Sequence, residues 1–114
     1  MRPLALALLL TALPLAAMAE RVTSREAFLQ AVEGRSLTRF GITLAVLPSG
    51  QISGRAFGNA VSGTWDWQAG WFCRTLAWGN RTWPRNCQLV EIEDGSIVFT
   101  ADKGRGDRAR LSIR

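Results

Sequence analysis

The sequence predicts a mainly β, α+β fold, in which an N-terminal helix packs on a small antiparallel meander barrel or half-barrel of about seven strands. Three observations support this prediction. After Gly34, apolar and polar residues alternate with period two over most of the chain. Turns that contain Gly, Asn or Asp separate the alternating runs, which is typical of β-hairpins. The chain has two cysteines, which predict one disulfide if the protein reaches an oxidising compartment.

Residues 1–19 have the organisation of a secretory signal peptide. Its parts are a basic residue, an apolar run and a small-x-small cleavage pattern, at Arg2, 4–15 and 17–19. The apolar run is interrupted by Pro14 and is shorter than the roughly 20 residues of a spanning helix. We therefore expect cleavage before Glu20 and a periplasmic or secreted protein that does not span the membrane. Residues 20–114 are expected to form a single small β-barrel-like domain.

A short amphipathic helix is predicted directly after the cleavage point. Thr23 or Ser24 can cap it, and Glu26 in its first turn suits the helix dipole. Gly34 ends the pattern. The apolar face consists of Ala27, Phe28, Ala31 and Val32. We expect this face to pack on a sheet or to plug one end of a barrel.

The period-two region predicts seven strands, at 41–48, 51–57, 61–68, 71–78, 87–93, 96–101 and 108–114. Their connections are too short for helical crossovers, so neighbouring strands must be antiparallel. Closing the meander into a barrel would remove exposed strand edges. In the third run, alternation places Trp65 and Trp67 on the core side and Asp66 on the polar side. Residues 102–107 are predicted to be a hairpin loop.

Composition argues against several classes of chemistry. The chain has no histidine and no tyrosine, which excludes histidine-based nucleophile triads and most zinc sites. No glycine-rich loop follows a strand and opens a helix, and the carboxylates near the turn at 93–96 fit a solvated strand end. The basic residues are dispersed, unlike those of a nucleic-acid face. We therefore expect no catalytic residue, no metal, no cofactor and no nucleic-acid partner.

The stretch WFCRTLAWGNRTWPRNCQ, residues 71–88, holds both cysteines and three of the five tryptophans. We expect a Cys73–Cys87 disulfide that joins two strands, with residues 78–86 as the tip that this bond holds rigid. The candidate binding residues within that tip are Trp78, Arg81, Trp83 and Arg85. An exposed tryptophan beside an arginine can stack on a sugar, a base or a partner's side chain. The alternative is that these tryptophans fill the core or cover a barrel mouth.

The mature chain resembles a family of small secreted bacterial one-disulfide β proteins that are often labelled dihydrodipicolinate reductase. The resemblance rests on the segment VEGRSLTR, the tryptophan-containing run at 57–67, and the strands WFCR and NCQLV. The label implies a nicotinamide-dependent enzyme with a dinucleotide fold, but this chain has neither the glycine fingerprint nor the length. We therefore interpret the label as a misnaming. The organisation is also similar to secreted one-disulfide barrels that inhibit proteases or lysozymes.

Three functional hypotheses follow from the sequence. The first is a non-catalytic periplasmic or secreted binding module, inhibitor-like or envelope-associated, that recognises a protein or an envelope component through the tip. The second is a carrier that holds a small apolar ligand inside the barrel among Trp65, Trp67 and Trp71. The third is the reductase that the family label implies, which the absence of a catalytic constellation disfavours.

Overall fold

The structure, a computed structural model, describes residues 18–114, so most of the expected signal peptide lies outside the described residues. Two helical segments are present, α1 Arg25–Val32 and α2 Ala101–Gly104. The strands are β1 Glu20–Arg21, β2 Leu37–Arg39, β3 Ile42–Val46, β4 Gln51–Ala56, β5 Asn59–Gln68, β6 Trp71–Trp78, β7 Arg81–Glu93, β8 Ser96–Thr100 and β9 Arg108–Ile113.

Strands β2 to β9 form a closed antiparallel barrel, which confirms the predicted fold class. Each strand pairs with its neighbours in sequence, and β2 closes the barrel by pairing with β9, where Leu37 lies opposite Ile113. The short strand β1 is the ninth and pairs with the far end of β7, where Glu20 lies opposite Ile92. Strand β7 pairs with β8 only from Leu89 onward, and beside the earlier part of β7 the backbone N–H of Asp102 in α2 donates a hydrogen bond to Asn86 Oδ1.

The barrel has eight strands, whereas the sequence predicted about seven. Strands β1 and β2 span two and three residues, which is too short for a period-two pattern to be recognisable. Strand β7 begins at Arg81, whereas Cys87 was predicted to be its first residue. Pro84 argued against a strand at this point, but it lies at a β-bulge, where a proline is tolerated. The predicted loop at 102–107 begins with α2, a single turn with left-handed backbone at Asp102 and Lys103.

The predicted alternation is confirmed. Trp65 is 5% exposed, and Trp67 packs against the core from the same face of β5. Two interior glycines allow close approach of neighbouring strands: a Cβ at Gly54 would overlap the carbonyl oxygen of Thr43, and one at Gly63 would overlap that of Thr75. Such glycines permit the strong curvature that a small barrel needs.

Helix α1 closes one end of the barrel. The hydroxyl oxygen of Ser24 caps it by accepting a hydrogen bond of 3.1 Å from the backbone N–H of Ala27. Phe28 and Val32 are fully buried, as predicted, but Ala27 is exposed, and Leu29 packs against the core as well. The apolar face is therefore rotated by about one residue from the predicted one.

The ring of Phe28 lies at the centre of the aromatic core. Its centroid is 5.2 Å from that of Trp65, 5.3 Å from that of Trp67 and 5.0 Å from that of Phe72. At the same end, the guanidinium of Arg25 donates a hydrogen bond to the carbonyl oxygen of Pro48 in the β3–β4 turn. The turns between β2 and β3, β4 and β5, and β6 and β7 lie at the opposite end, together with the β8–β9 connection that contains α2. We call this end, which α1 does not cover, the open end.

Candidate functional site

Strand β6 lines the interior from the helix to the open end. Its interior-facing side chains are Phe72, Arg74, Leu76 and Trp78. Phe72 packs on α1, whereas Trp78 lies at the open end, where its Nε1 donates a hydrogen bond of 2.8 Å to the carbonyl oxygen of Ala56. Arg74 is half-buried between them. An otherwise apolar strand face thus carries one cation in its middle.

A bulge in β7 decides which of its side chains reach the interior. Leu76 of β6 pairs with Trp83. Arg74, two positions before Leu76, pairs with Asn86, three positions after Trp83. The extra residue shifts the inward–outward alternation of side chains by one position. Trp83 and Asn86 therefore both face the interior, although they are three positions apart. Arg85 consequently points to the outer face.

The predicted disulfide between Cys73 and Cys87 is present. The two cysteines lie directly opposite each other on β6 and β7, on the outer face of the barrel, and Cys73 is fully buried. A disulfide that joins two secondary-structure elements in this way fits an oxidising, extracellular environment. It does not close a projecting tip, because β6 and β7 are joined by a two-residue turn at Gly79 and Asn80.

A half-open cavity of about 430 Å³, which we call the main cavity, extends from the surface near Pro84 and Asp107 into the interior of the barrel. Its apolar wall consists of Leu37, Leu44, Val46, Ile52, Phe72, Leu76, Trp83, Pro84, Phe99, Ala101, Ala109 and Leu111. Its polar side consists of Arg74, Asn86, Gln88, Asp102, Asp107 and Arg108. The cavity therefore offers an extensive apolar surface with a small number of polar groups on one side, which is the composition of ligand pockets in general.

A second cavity of about 240 Å³, the rim cavity, adjoins the first at the open end. Its lining is entirely apolar: Ile42, Leu44, Ala56, Phe57, Val61, Leu76, Trp78 and Trp83. Leu44, Leu76 and Trp83 line both cavities, so the two spaces share a common wall. Together they extend from the open end of the barrel to Phe72 beneath α1.

Three of the four predicted binding residues lie together at the open end. Trp78 and Trp83 are half-buried and face the cavities, and the guanidinium carbon of Arg81 lies 5.2 Å from the centroid of the Trp83 ring. Arg85 is separated from them on the outer face, where it pairs with Asp66. The expectation of a rigid tip at 78–86 was wrong, because most of this segment continues as strand β7.

The second expected tryptophan group does not line either cavity. Trp65 and Trp67 pack against Phe28 at the closed end. Trp71 lies on the outer face, with the guanidinium carbon of Arg21 at 4.6 Å from its ring centroid. The tryptophans that line the cavities are instead Trp83, which lines both, and Trp78, which lines the rim cavity.

Three residues at the site were not singled out in the sequence. Arg74 is the cation on the apolar face of WFCRTLAW, and its spacing of two from Phe72 and Leu76 was a usable signal. Phe40 is 94% exposed and Phe57 is 59% exposed, both in turns at the open end. Each directly precedes a glycine, so a turn that displays an aromatic side chain could have been recognised.

A bidentate ion pair joins Arg85 and Asp66 on the outer face. The two terminal guanidinium nitrogens of Arg85, Nη1 and Nη2, donate to the Asp66 carboxylate, at 2.6 and 3.1 Å. The hydrogen bond from Arg85, with a second one from Gln68, lowers the pKa of Asp66 below its usual value, and the same pair raises the pKa of Arg85. The side chains of the pair remain 42% and 50% exposed, so solvent screens much of their attraction.

Asp66→Asn should destabilise the protein slightly at neutral pH and not at all in strong acid. A carboxylate whose pKa is lower in the folded state contributes stability above its unfolded pKa of about 3.9, and this contribution disappears as the pH falls through the folded pKa. Urea unfolding of both proteins at pH 7 and near pH 2 measures the difference. Glu33→Gln is the control, and an Asp66→Asn effect that persists in acid would contradict the ion-pair explanation.

Residues 18–114 lack two further features, a metal-binding cluster and a helix able to cross a membrane. No group of three or more His, Cys, Asp or Glu side chains in this range is arranged to hold a metal ion. None of the helices in the same range has the length and apolar character needed to cross a membrane.

Comparison with known proteins does not add a family to these observations. The chain matches no family model, no curated protein sequence and no solved structure.

Proposed function

We propose that this protein is a non-catalytic binding module, periplasmic or secreted, that holds a small and largely apolar molecule inside the open end of its barrel. The observation that carries the proposal is the main cavity of about 430 Å³, together with the adjoining rim cavity of about 240 Å³. Barrels of eight strands are either filled by their own side chains or hold one small ligand. Ligand pockets typically measure about 300–1,000 Å³, so the main cavity falls within that range.

The position of the tryptophans favours a small ligand inside the barrel and argues against recognition of a protein partner by a projecting tip. Trp78 and Trp83 turn inward and line the cavities, so they offer less surface to a protein partner than an exposed tip would. The reductase activity is not proposed. The described strands are antiparallel, and none of them leads through a glycine-rich turn into a helix that could bind a pyrophosphate.

A second candidate is an envelope component or protein that covers the open end. Phe40 is almost fully exposed, and Phe57 is exposed while its backbone has a left-handed φ of 49°. This conformation belongs to a two-residue hairpin turn and recurs at Ala69 and Asp94, so the exposed rings, and not the backbone, favour a partner at this end. A partner of this kind would contact the rim from outside, so its binding would not depend on the volume of the main cavity.

Binding of N-phenyl-1-naphthylamine, an apolar probe whose fluorescence rises in apolar surroundings, tests the proposal. The wild type should bind it saturably at one site. Ala109→Phe places a ring in the main cavity and should weaken the affinity by about tenfold or more, the equivalent of losing about 1.4 kcal/mol of binding free energy. Ala60→Phe is the matched control, since Ala60 is exposed on the outer face of β5, and it should bind like the wild type.

Circular dichroism and urea unfolding establish that both variants are folded. Absence of saturable binding to the wild type would overturn the proposal whatever the variants do. Equal loss of affinity in Ala60→Phe and Ala109→Phe would place the probe outside the cavity, with the same consequence.

A further inference from the structure

Arg74 is a cation placed in the wall of an apolar space. It lies on β6 between Phe72 and Leu76, on the face that lines the main cavity. Its side chain is half-buried, whereas most other arginines of residues 18–114 are exposed. An arginine in such a position covers apolar surface with its methylene groups, but its guanidinium still needs partners for five N–H donors.

The structure provides few partners for this guanidinium. Its Nη1 donates a long hydrogen bond of 3.4 Å to the carbonyl oxygen of Pro84. Ion pairs within residues 18–114 join Arg85 with Asp66 and Arg110 with Glu93, and Arg74 takes part in neither. Burial lowers the pKa of Arg74 because it removes water from the charged group without a carboxylate in compensation.

The acidic residues on the polar side of the main cavity do not neutralise it. Asp102 accepts a hydrogen bond of 2.7 Å from the side-chain amide of Asn86, and neither Asp102 nor Asp107 lies within ion-pair distance of Arg74. A second cation, Arg108, lines the same side. The cavity therefore presents an incompletely paired guanidinium next to its apolar wall.

We propose that the molecule held in the barrel is an anionic amphiphile, whose acidic head group pairs with Arg74 and whose hydrocarbon part extends into the rim cavity. The proposal rests on the function proposed above and specifies its ligand class. From Arg74 the apolar surface continues over Leu76 and Trp83 to Trp78 at the open end. A carboxylate fits a guanidinium with two parallel hydrogen bonds, and such a charge-assisted pair is stronger at a half-buried guanidinium than at a fully exposed one.

The size of the apolar path favours an amphiphile over a small inorganic anion. An inorganic anion would occupy the surroundings of Arg74 and leave the apolar lining of the rim cavity empty. A neutral hydrocarbon would fill the apolar space and leave the guanidinium with its present weak contact. A molecule with one acidic end and one apolar end satisfies both regions at once.

Displacement of N-phenyl-1-naphthylamine by three ligands of equal chain length tests the charge preference. Dodecanoate, dodecanol and dodecylamine differ in the head group alone. At pH 8 the wild type should bind dodecanoate about tenfold more tightly than dodecanol, which corresponds to about 1.4 kcal/mol, and dodecylamine least tightly. The order of these three affinities in the wild-type protein already tests the proposal, so the test does not depend on the folding of any variant.

Substitution of Arg74 then assigns the preference to this side chain. Arg74→Met keeps most of the apolar stem and should reduce the dodecanoate affinity to that of dodecanol, while the dodecanol affinity stays within about twofold. Arg74→Lys should keep part of the preference, because it retains the charge but not the paired geometry. Arg35→Met, which removes a cation exposed between α1 and β2, should behave like the wild type.

The outcomes separate the two proposals. If the probe and dodecanol bind but dodecanoate has no advantage, or if Arg74→Met leaves that advantage intact, the inference about the ligand class is wrong and the binding module stands. If dodecylamine binds as tightly as dodecanoate, the inference is likewise wrong. If the wild type binds neither the probe nor any of the three ligands, the proposed function itself fails.

Discussion

Phe28→Ala should lower the free energy of unfolding by about 3–5 kcal/mol, the usual cost of removing a fully buried phenylalanine. Phe28 has no exposed surface, and its ring contacts Trp65, Trp67 and Phe72. Alanine at this position would leave a void between α1 and the barrel that the rigid, closed sheet cannot collapse to fill. The helix would lose the side chain that attaches it most firmly to the barrel.

Water is not expected to reduce this cost. The indole Nε1 of Trp67 is buried and has no hydrogen-bond partner, so it is the one evident group that could attract water into the void. A buried water needs about two to four polar partners, and a single donor does not supply them. The new space should therefore stay empty, and the full loss of contacts should be measured.

Phe40→Ala is the matched control for this substitution. Phe40 is 94% exposed, so the same change there should leave the free energy of unfolding within about 0.5 kcal/mol of the wild type. Urea unfolding monitored by tryptophan fluorescence measures both variants, since Trp65 and Trp67 report directly on the contact with α1. A loss below about 1 kcal/mol in Phe28→Ala would show that the helix is not the plug of the barrel.

The face of the sheet on which a side chain lies could be predicted from the sequence, because it depends on the local alternation of apolar and polar residues along each strand. Trp65 and Trp67 in β5 were assigned to the core from period two alone; Trp65 is buried, and Trp67 packs against the core. Closure of the barrel could not be predicted with the correct strand number, because β2 has three residues and its pairing with β9 joins distant parts of the chain. Strand number controls the width of a barrel, so the cavity was not predictable either.

The candidate site was predicted in part, and the β7 bulge explains the limit. Simple alternation places Arg85 on the same face as Trp83, and both residues were expected to lie in one tip. The bulge between them separates the two side chains, sending Trp83 to the cavities and Arg85 to Asp66. Pro84 marks the irregularity in the sequence, but a proline alone does not indicate whether a strand ends or bulges.

Removal of the disulfide should cost about 3 kcal/mol, the value that the chain-entropy model gives for a closed loop of about 15 residues. The cysteines are 14 positions apart, and Cys73 is fully buried, so the double variant Cys73→Ala/Cys87→Ala keeps an apolar group at the buried position. The loss arises in the unfolded chain, which gains conformational freedom. Urea unfolding of the variant, and of the wild type with and without dithiothreitol, measures it.

Dithiothreitol should destabilise the wild type by a similar amount and leave the double variant unchanged, which separates loss of the bond from side effects of the substitutions. The folded variant should still bind N-phenyl-1-naphthylamine within about twofold of the wild type. The reason is that the β6–β7 pairing continues on both sides of the cysteines, from Phe72 opposite Gln88 to Trp78 opposite Arg81, so it holds Arg74 opposite Asn86 without the bond. Loss of probe binding in a folded variant would mean that the disulfide, and not this strand pairing, fixes the register beyond the bulge.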